Sequence, residues 1–340
     1  MSRIQIFNRD GYHLCDIAAD ADRSWLIGKY GRCTFTIPVI SDKCRERYLG
    51  FGNYVLIEHP SLPAWGGMID TPRKWGNNKV EVTAYTPEYI LNYRVTGYDN
   101  LKLTPGSMFI KAIDIANKVD DTRLFRGGPI DETGTPISFE LRMDNMYDFI
   151  KSKIGDAGYE WIIKPRVEAN RLLFEASLYE KFVQTLDFSL VDGVNIEKND
   201  DVLVEDGMIY SVLTGVGKGS SWGERRKFRA EDAESGSLYG YREGKVDVDE
   251  RGESAVQEYA EKQLKKDKQP KKKFDLSAVD AEDTFRYLDL GNVLHVNMSV
   301  CGFLGDKIGT SADIRITGMS FVENKGIVRL ICEEYSDDTE

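Results

Sequence analysis

The sequence lacks the cysteine pattern of a disulfide framework or a zinc site. Its cysteines are odd in number, scattered and without a C-x-x-C pair: Cys15, Cys33, Cys44, Cys301 and Cys332. Disulfide-rich and zinc-stabilised folds place their cysteines at short, paired spacings. The pattern therefore predicts no metal site and a protein that folds in a reducing cytoplasm.

Long apolar runs and excess positive charge are also missing. Eighteen consecutive apolar residues occur nowhere, which excludes a membrane-spanning helix, and the amino terminus MSRIQIFNRDGYHL has no secretory apolar core. Asp and Glu number 56 against 45 Lys and Arg, which gives a formal net charge of -11. This balance argues against a chain that wraps nucleic-acid phosphates over much of its surface.

Catalytic motifs are equally scarce. His13, His59 and His295 lie far apart in the sequence, and none belongs to a recognisable catalytic or metal-ligand pattern. The pattern G-x-S-x-G occurs once, as GSSWG at 219–223, but no helical period follows it as a nucleophile elbow requires, and no H-E-x-x-H zinc helix is present. Acidic pairs such as Asp120 and Asp121 are typical of solvated turns. The sequence predicts no catalytic residue, no cofactor-binding residue, no cofactor and no metal ligand.

The glycine-rich stretch TGVGKGSSWGERR, residues 214–226, invites comparison with a phosphate-binding loop. In G-x-x-x-x-G-K-[ST] the lysine leads directly into Ser or Thr and a helix. Lys218 is instead followed by Gly219 and a charged, glycine-broken segment without a helical period. Residues 208–213 have the pattern of a strand, so we predict a strand-to-loop transition and no nucleotide site.

Two further features leave alternatives open. The lysine run KKDKQPKKK, residues 265–273, is broken by Asp267 and Pro270, which favours a solvated linker over a site for phosphate or an acidic partner. Five tryptophans and 17 tyrosines are compatible with a carbohydrate platform. Aromatic residues are equally common in strands and subunit interfaces, so their number does not decide between these functions.

Hydrophobic periodicity divides the chain into three blocks. Residues 1–95 contain five or six short strands with turns between them, which predicts a small β-barrel or sandwich. Residues 96–186 alternate helical and strand patterns and predict an α/β domain. Residues 187–340 return to strands, with a helical insertion at about 250–273. The fold class predicted from these patterns is mainly β with α+β elements.

The helices are predicted from spacing and caps. Phe109, Ile113 and Ala116 have helical spacing, with Ser107 as the N-cap. A second helix begins at Asp144 or Asn145 and is followed by two strands with a turn at 168–170. In the insertion, one helical face carries four residues: Val256, Tyr259, Ala260 and Leu264.

Two sets of segments, each in a fixed order, resemble a known family. The first comprises G-x-H-L-x-D-I at 11–17, GRCTFTIP at 31–38, WGGMI at 65–69 and TPEYILNYR at 86–94. The second comprises GVGKG at 215–219 with Arg225 and Arg226, SLYGYRE at 237–243, AEKQL at 260–264 and DLGNV at 289–293. Together they resemble the tail-tip and baseplate hub proteins of tailed phages, the siphophage-type hub with its tail-associated protein N-terminal module. The same modules also occur in contractile injection systems.

The resemblance implies a structural hub subunit without enzymatic activity. It implies two small β-barrel hub domains, residues 1–95 and 187–340, with the α/β domain 96–186 between them. Three copies are expected to form a ring that joins the sixfold tail tube or distal tail ring to the threefold tip or spike, and lets tape-measure protein and DNA pass. The expected location is the virion tail tip or baseplate, after synthesis and assembly in the host cytoplasm.

The partners implied are a homotrimer, a distal tail or tail tube protein, the tape-measure protein, and a separate spike or receptor-binding protein. DNA is expected only in transit, and an acidic lumen wall suits passage because it does not hold phosphates. The glycine-rich stretch is expected as a loop between strands of the second hub domain, with Arg225 and Arg226 facing a neighbouring subunit or a carboxylate. Because the sequence ends in an acidic tail without a lysin or fibre extension, host recognition is expected on another protein.

Two alternatives remain open from the sequence. A tail-associated cell-wall or polysaccharide hydrolase would need a carboxylate pair, for which Asp131, Glu132 and Asp144 are the candidates. A carbohydrate-binding tip module would depend on Trp161 or Trp222.

Overall fold

A computed structural model describes most of the chain. It covers residues 2–118, 123–131, 134, 136–155, 157–197, 203–219, 223–248, 252–301 and 307–336. The chain divides into two compact units, a main unit of Met1–Asp200 with Asp275–Glu340 and an inserted unit of Asp201–Phe274. The three-domain division with boundaries after residues 95 and 186 stays a prediction.

The main unit is built mainly from antiparallel strands, so the predicted mainly β class is confirmed. Its first strands are β1 (Ser2–Phe7), β2 (His13–Ala19), β3 (Ala21–Leu26), β4 (Arg32–Pro38), β5 (Tyr54–Glu58), β6 (Trp65–Trp75), β7 (Lys79–Tyr85), β8 (Tyr98–Leu103), β9 (Phe125–Ile130), β10 (Ile137–Arg142), β11 (Glu160–Glu168), β12 (Arg171–Tyr179) and β13 (Gln184–Val191). In the inserted unit follow β14 (Leu203–Asp206), β15 (Val212–Val216), β16 (Lys227–Glu231) and β17 (Glu243–Asp247). The last four are β18 (Lys271–Val279), β19 (Asn292–Cys301), β20 (Lys307–Val322) and β21 (Ile327–Glu334).

One large sheet organises the main unit. Its order is β18-β21-β20-β3-β4-β7-β6-β5-β1-β2, and β19 pairs with β20 and β13 with β19. Strands such as β7 alternate because Val80 and Val82 are buried while Lys79 is exposed. Among the described residues no pairing closes this order into a barrel, so the two-barrel arrangement stays a prediction.

The helices of the main unit cover a second layer of strands. They are α1 (Glu46–Leu49), α2 (Pro105–Asn117) and α3 (Met146–Phe149), which continues as a π-helix over Ile150–Ile154. Two 3₁₀-helices, Pro87–Tyr93 and Ala281–Tyr287, also belong to this unit. One apolar core joins α2, α3 and the π-helix, but not α1, to β9, β11 and β12, with Phe109, Trp161 and Phe174 buried in it. The predicted N-cap Ser107 is wrong, because the hydroxyl of Thr104 accepts the Ser107 N–H and Pro105 occupies the first helical position.

A buried ion network ties β11 to the large sheet. Both Nη atoms of Arg315, on β20, lie 2.6 Å from the carboxylate oxygens of Glu160 on β11. Its Nε donates to Glu333 of β21 at 2.9 Å, and Nη1 also donates to the Phe182 carbonyl. Arg315 is only 3% exposed, so these acceptors replace its water shell.

The inserted unit is a small mixed sheet with a helix packed on it. β15 pairs antiparallel with β16 and parallel with β17, and the two helices are α4 (Ala233–Tyr239) and α5 (Glu253–Asp267). Ala260 and Leu264 of α5 join Leu213 and Ala230 in its core. Tyr259, predicted on this face, is 45% exposed, so that prediction is wrong.

The lysine run is also not the predicted linker. Lys265 and Lys266 lie in the last turn of α5, where positive charge is favoured by the helix dipole. Residues 271–273 begin β18, which pairs with β14.

Candidate functional site

The described residues of the glycine-rich stretch, 214–219 and 223–226, do not form a phosphate cradle. The stretch begins inside β15 rather than in a loop, and a Cβ on Gly215 would lie 3.0 Å from Ala260 Cβ and 3.1 Å from the Val256 carbonyl. The Gly217 N–H donates to the Arg226 carbonyl at 2.8 Å, so it is committed to its neighbouring strand. Gly215 is therefore required for close approach of α5 to the sheet. Residues 220–222 lie outside the described residues.

The three histidines occupy three different environments. His13 lies 2.8 Å from Asp16 on an exposed strand end. His59 packs against Phe285 and Phe321, and burial lowers the pKa of this histidine. The contacts of these two histidines are thus an exposed ion pair and an aromatic packing contact.

His295 is the exception, because the structure gives it a Ser-His-Asp arrangement. Its Nδ1 lies 2.8 Å from Asp313 Oδ1 and its Nε2 lies 2.9 Å from Ser311 Oγ. The antiparallel register places His295 opposite Asp313, which is why residues 18 positions apart meet. Sequence reasoning missed this set because no local motif marks a pairing between two strands.

The surroundings of the Ser-His-Asp set are those of an open sheet surface. The side chains of His295 and Asp313 are 40% and 58% exposed. Efficient acyl transfer needs a water-excluding cleft and N–H groups aimed at the oxyanion. Ser311 lies within the regular ladder of β20, where it pairs with Asn297. The geometry of the side chains alone therefore falls short of a hydrolase site.

Two of the carboxylates proposed for a hydrolase accept hydrogen bonds from backbone N–H groups instead. Asp131 Oδ2 accepts the Glu180 N–H at 3.0 Å, and Asp144 Oδ2 accepts the Arg142 N–H at 3.3 Å. Glu132 lies outside the described residues. In the described part of the chain, no cluster of three or more His, Cys, Asp or Glu side chains is arranged to hold a metal ion.

The tryptophans proposed for glycan binding offer no platform that the structure describes. Trp161 is 2% exposed and packs against Phe109 and Tyr147. A glycan platform needs an exposed ring face, so Trp161 cannot provide one. Trp222 lies outside the described residues.

Tyrosines instead form a partly exposed cluster, here called the tyrosine cluster and defined as Tyr30, Tyr85, Tyr89 and Tyr93. Tyr85 and Tyr89 stack with ring centroids 4.3 Å apart, and Tyr30 meets both edge-on. Tyr93 is 54% exposed and donates to Asp70, and this hydrogen bond raises the Tyr93 pKa. Rigid, partly exposed tyrosines are enriched at protein interfaces.

Within the described residues, no helix is both long and apolar enough to cross a bilayer. No protein-family model and no curated protein matches the sequence.

Solved structures match the fold over nearly the whole chain. The prophage tail protein gp18 from Listeria monocytogenes EGD-e has a TM-score of 0.61 at 14% identity and covers 99% of this chain and 95% of its own. The tail protein from Neisseria meningitidis MC58 has a TM-score of 0.63 at 13% identity, with 98% and 97% covered. A chain of the Francisella PdpA-VgrG complex has a TM-score of 0.59 at 10% identity and covers 99% of this chain and 52% of its own.

These similarities establish the fold. The chain has the fold of phage tail proteins, so the structural part of the resemblance to tail hub proteins is confirmed.

Proposed function

We propose that this protein is the hub subunit of a phage tail or a phage-like particle, and that three copies assemble into a ring at the tail tip. The observation that carries the proposal is the fold similarity to tail proteins, which extends over 98% of this chain and 97% of the Neisseria protein.

In the proposed assembly, the ring joins the sixfold tail tube or distal tail ring to a threefold tip or spike. A single chain that supplies two similar barrel domains would present six such domains in a trimer, which resolves the symmetry mismatch. The structural neighbour in the PdpA-VgrG complex supports a partner on the spike side. Tape-measure protein and then DNA would pass through the lumen.

The charge of the chain supports passage rather than binding of DNA. With a formal net charge of -11 per chain, the ring would carry three times that charge. A wall of carboxylates repels phosphates, so DNA would move through without being held. Replacement of lumen carboxylates by lysine is expected to slow DNA delivery, and unchanged delivery would contradict this part of the proposal.

The mass of the purified protein in solution tests the assembly. Light scattering is expected to give about 116 kDa, three times the 38.5 kDa of one chain, and class averages in the electron microscope are expected to have a central hole. A monomer that stays monomeric when mixed with its tail tube and spike proteins would overturn the hub proposal.

The hydrolase alternative has one observation in its favour, the Ser311, His295 and Asp313 set. A zymogram on host cell walls distinguishes it from a structural hub. A hub clears nothing, whereas clearing by the wild type that is lost in Ser311→Ala would assign hydrolysis to this set.

A further inference from the structure

The main unit contains a small cavity with a carboxyl group at its wall. The cavity has a volume of about 90 Å³, and its apolar lining includes Trp25, Pro165 and Leu290. Since about 10–15 Å³ on this measure holds one water molecule, the space admits a chain of about six heavy atoms. The polar residues of the lining are Thr86, Glu88, Lys164 and Asp289.

Glu88 is the unusual member of this lining. It is 2% exposed, and its Oε1 accepts the Ile163 N–H at 2.9 Å. Its Oε2 is buried and makes no well-formed hydrogen bond to a described residue, although the Thr86 hydroxyl and the Glu88 N–H interact with the carboxyl group and oppose the rise of its pKa. A buried carboxyl oxygen without a donor costs free energy, so the site is complementary to a ligand that brings a donor.

The other charged groups of the lining are already paired with each other. Lys164 Nζ lies 2.9 Å from Asp289 Oδ2 and over the ring of Phe182. Both side chains are partly exposed, at 43% and 34%, so this ion pair marks the solvent side of the cavity. The positive charge of Lys164 is therefore used in this ion pair, and Glu88 has no charged partner among the described residues.

We propose that this cavity binds a primary alkylammonium group, with the ammonium against Glu88 Oε2 and the alkyl chain against the apolar wall. An apolar slot that ends in a carboxylate fits a lysine side chain, whose methylene stem is apolar and whose charge is compact. A guanidinium fits less well, because its planar fork pairs with two free carboxylate oxygens and Glu88 has only one. If the proposed function holds, the carrier is a lysine of a neighbouring subunit.

Burial supports this assignment through the proton equilibrium of the carboxyl group. Desolvation raises the pKa of Glu88 to about 7. Besides the Lys164 and Asp289 pair, Tyr147 interacts with Glu88, and the pKa of Tyr147 is raised by burial and in part by the charges of Tyr30 and Glu88. An alkylammonium stays charged to about pH 10. Binding should therefore strengthen as Glu88 ionises.

Titration of the isolated protein with n-butylammonium chloride tests the proposal. The readout is the amide resonance of Ile163, which reports directly on the carboxyl group. We expect saturable shifts at pH 8 and an affinity about tenfold lower at pH 6, because the ionised fraction of a group with a pKa of about 7 falls tenfold. Glu88→Gln keeps an acceptor for Ile163 and is expected to weaken binding at least tenfold. Glu58→Gln, which changes an exposed carboxylate, should leave it unchanged.

Several results would overturn the proposal. Equal shifts with 1-butanol would show an apolar cavity without charge recognition, and no shift with n-butylammonium would show a cavity that holds water only. Unaltered affinity in Glu88→Gln would also remove the carboxyl group from the site. If Glu88→Gln fails to fold, the pH dependence of n-butylammonium binding to the wild type still tests the proposal. Binding of n-butylammonium is measured on the isolated chain and does not require the trimer. Failure of this proposal can therefore be told apart from failure of the hub proposal.

Discussion

Two buried charged residues of the main unit differ in how completely they are paired. Arg315 has acceptors for Nε and both Nη atoms, whereas Glu88 makes a well-formed hydrogen bond through only one of its two oxygens. A paired buried charge stabilises the fold only while every partner remains, and an incompletely paired one destabilises it. The two residues therefore predict opposite effects of mutation.

Arg315→Ala is expected to destabilise the protein by about 1.5–3 kcal/mol, because Glu160 and Glu333, whose side chains are 23% and 44% exposed, would keep their charges without the guanidinium. Urea denaturation of the wild type and variant measures the difference. Arg3→Ala is the control, since Arg3 also pairs with a carboxylate, Asp16, but is 65% exposed. Its loss is expected to cost below about 1 kcal/mol. Equal effects of the two substitutions would contradict the role of burial.

The raised pKa of Glu88 predicts that the free energy of unfolding depends on pH. Its pKa is raised from 4.5 to about 7, so the folded state holds the proton more tightly than the unfolded state. The carboxyl group therefore costs no stability below about pH 4.5, and the cost increases up to about pH 7 and then stays constant. Glu88→Gln removes this titration.

The free energy of unfolding of Glu88→Gln, relative to that of the wild type, is thus expected to rise by about 3 kcal/mol between pH 4 and pH 8. Denaturant titrations at both pH values provide the measurement. A constant difference between the two proteins at all pH values would mean that Glu88 titrates normally.

At the scale of elements, the packing of α5 on β15 depends on one glycine. Gly215→Val would place a branched side chain where a Cβ already lies 3.0 Å from Ala260 Cβ. We expect a loss of about 1–3 kcal/mol, by overpacking, confined to the inserted unit. Hydrogen exchange should be faster in α5 and β15 to β17 and unchanged in the main unit.

Gly223→Val is the matched control, because this glycine lies in the same glycine-rich stretch and a Cβ there would meet nothing within 4 Å. Its effect on exchange is expected to be negligible. If both variants loosened the inserted unit equally, the stretch as a whole rather than the Gly215 contact would hold α5.

Sequence patterns predicted the strands and helices that bury one face, because burial of one face produces a regular apolar spacing. The strand 79–85 matches β7, and Asn145 caps α3 by accepting the Asp148 N–H. The strand predicted at 208–213 lies instead at Val212–Val216. Its close contact with α5 is made at Gly215, and a glycine adds no apolar residue to the sequence pattern that would mark the strand there. Short strands such as β8 and β9 escaped because they lack a clear apolar alternation.

Sites made by contact between distant segments were beyond sequence reasoning. Ser311 and His295 meet through strand register, and Glu88 meets Ile163 across 75 residues. Each of these residue types is common, and no spacing rule marks such a pair. The available signal was the position of Glu88 in the segment TPEYILNYR, where Pro87, Ile90 and Leu91 are apolar. In the structure these three neighbours are buried together with Glu88.

For the whole molecule, the relation to known proteins lies in the fold and hardly in residue identity. The tail proteins share 12–14% of residues with this chain yet match it nearly end to end. Cores tolerate extensive apolar substitution when volume and patterning are kept, so such a fold persists at low identity. Surface properties such as net charge are not fixed by core packing and can differ between proteins that share the fold.

Charge gives the final prediction, on the salt dependence of the proposed trimer. Assembly brings together three chains of formal charge -11, and this repulsion reaches about 30 Å at 0.01 M salt but about 8 Å at 0.15 M. The trimer should therefore be favoured as NaCl increases, which sedimentation equilibrium can measure. Sucrose at equal osmolality separates charge screening from solute exclusion and should have a smaller effect. Dissociation with added NaCl would instead mean that ion pairs of opposite charge hold the subunits together.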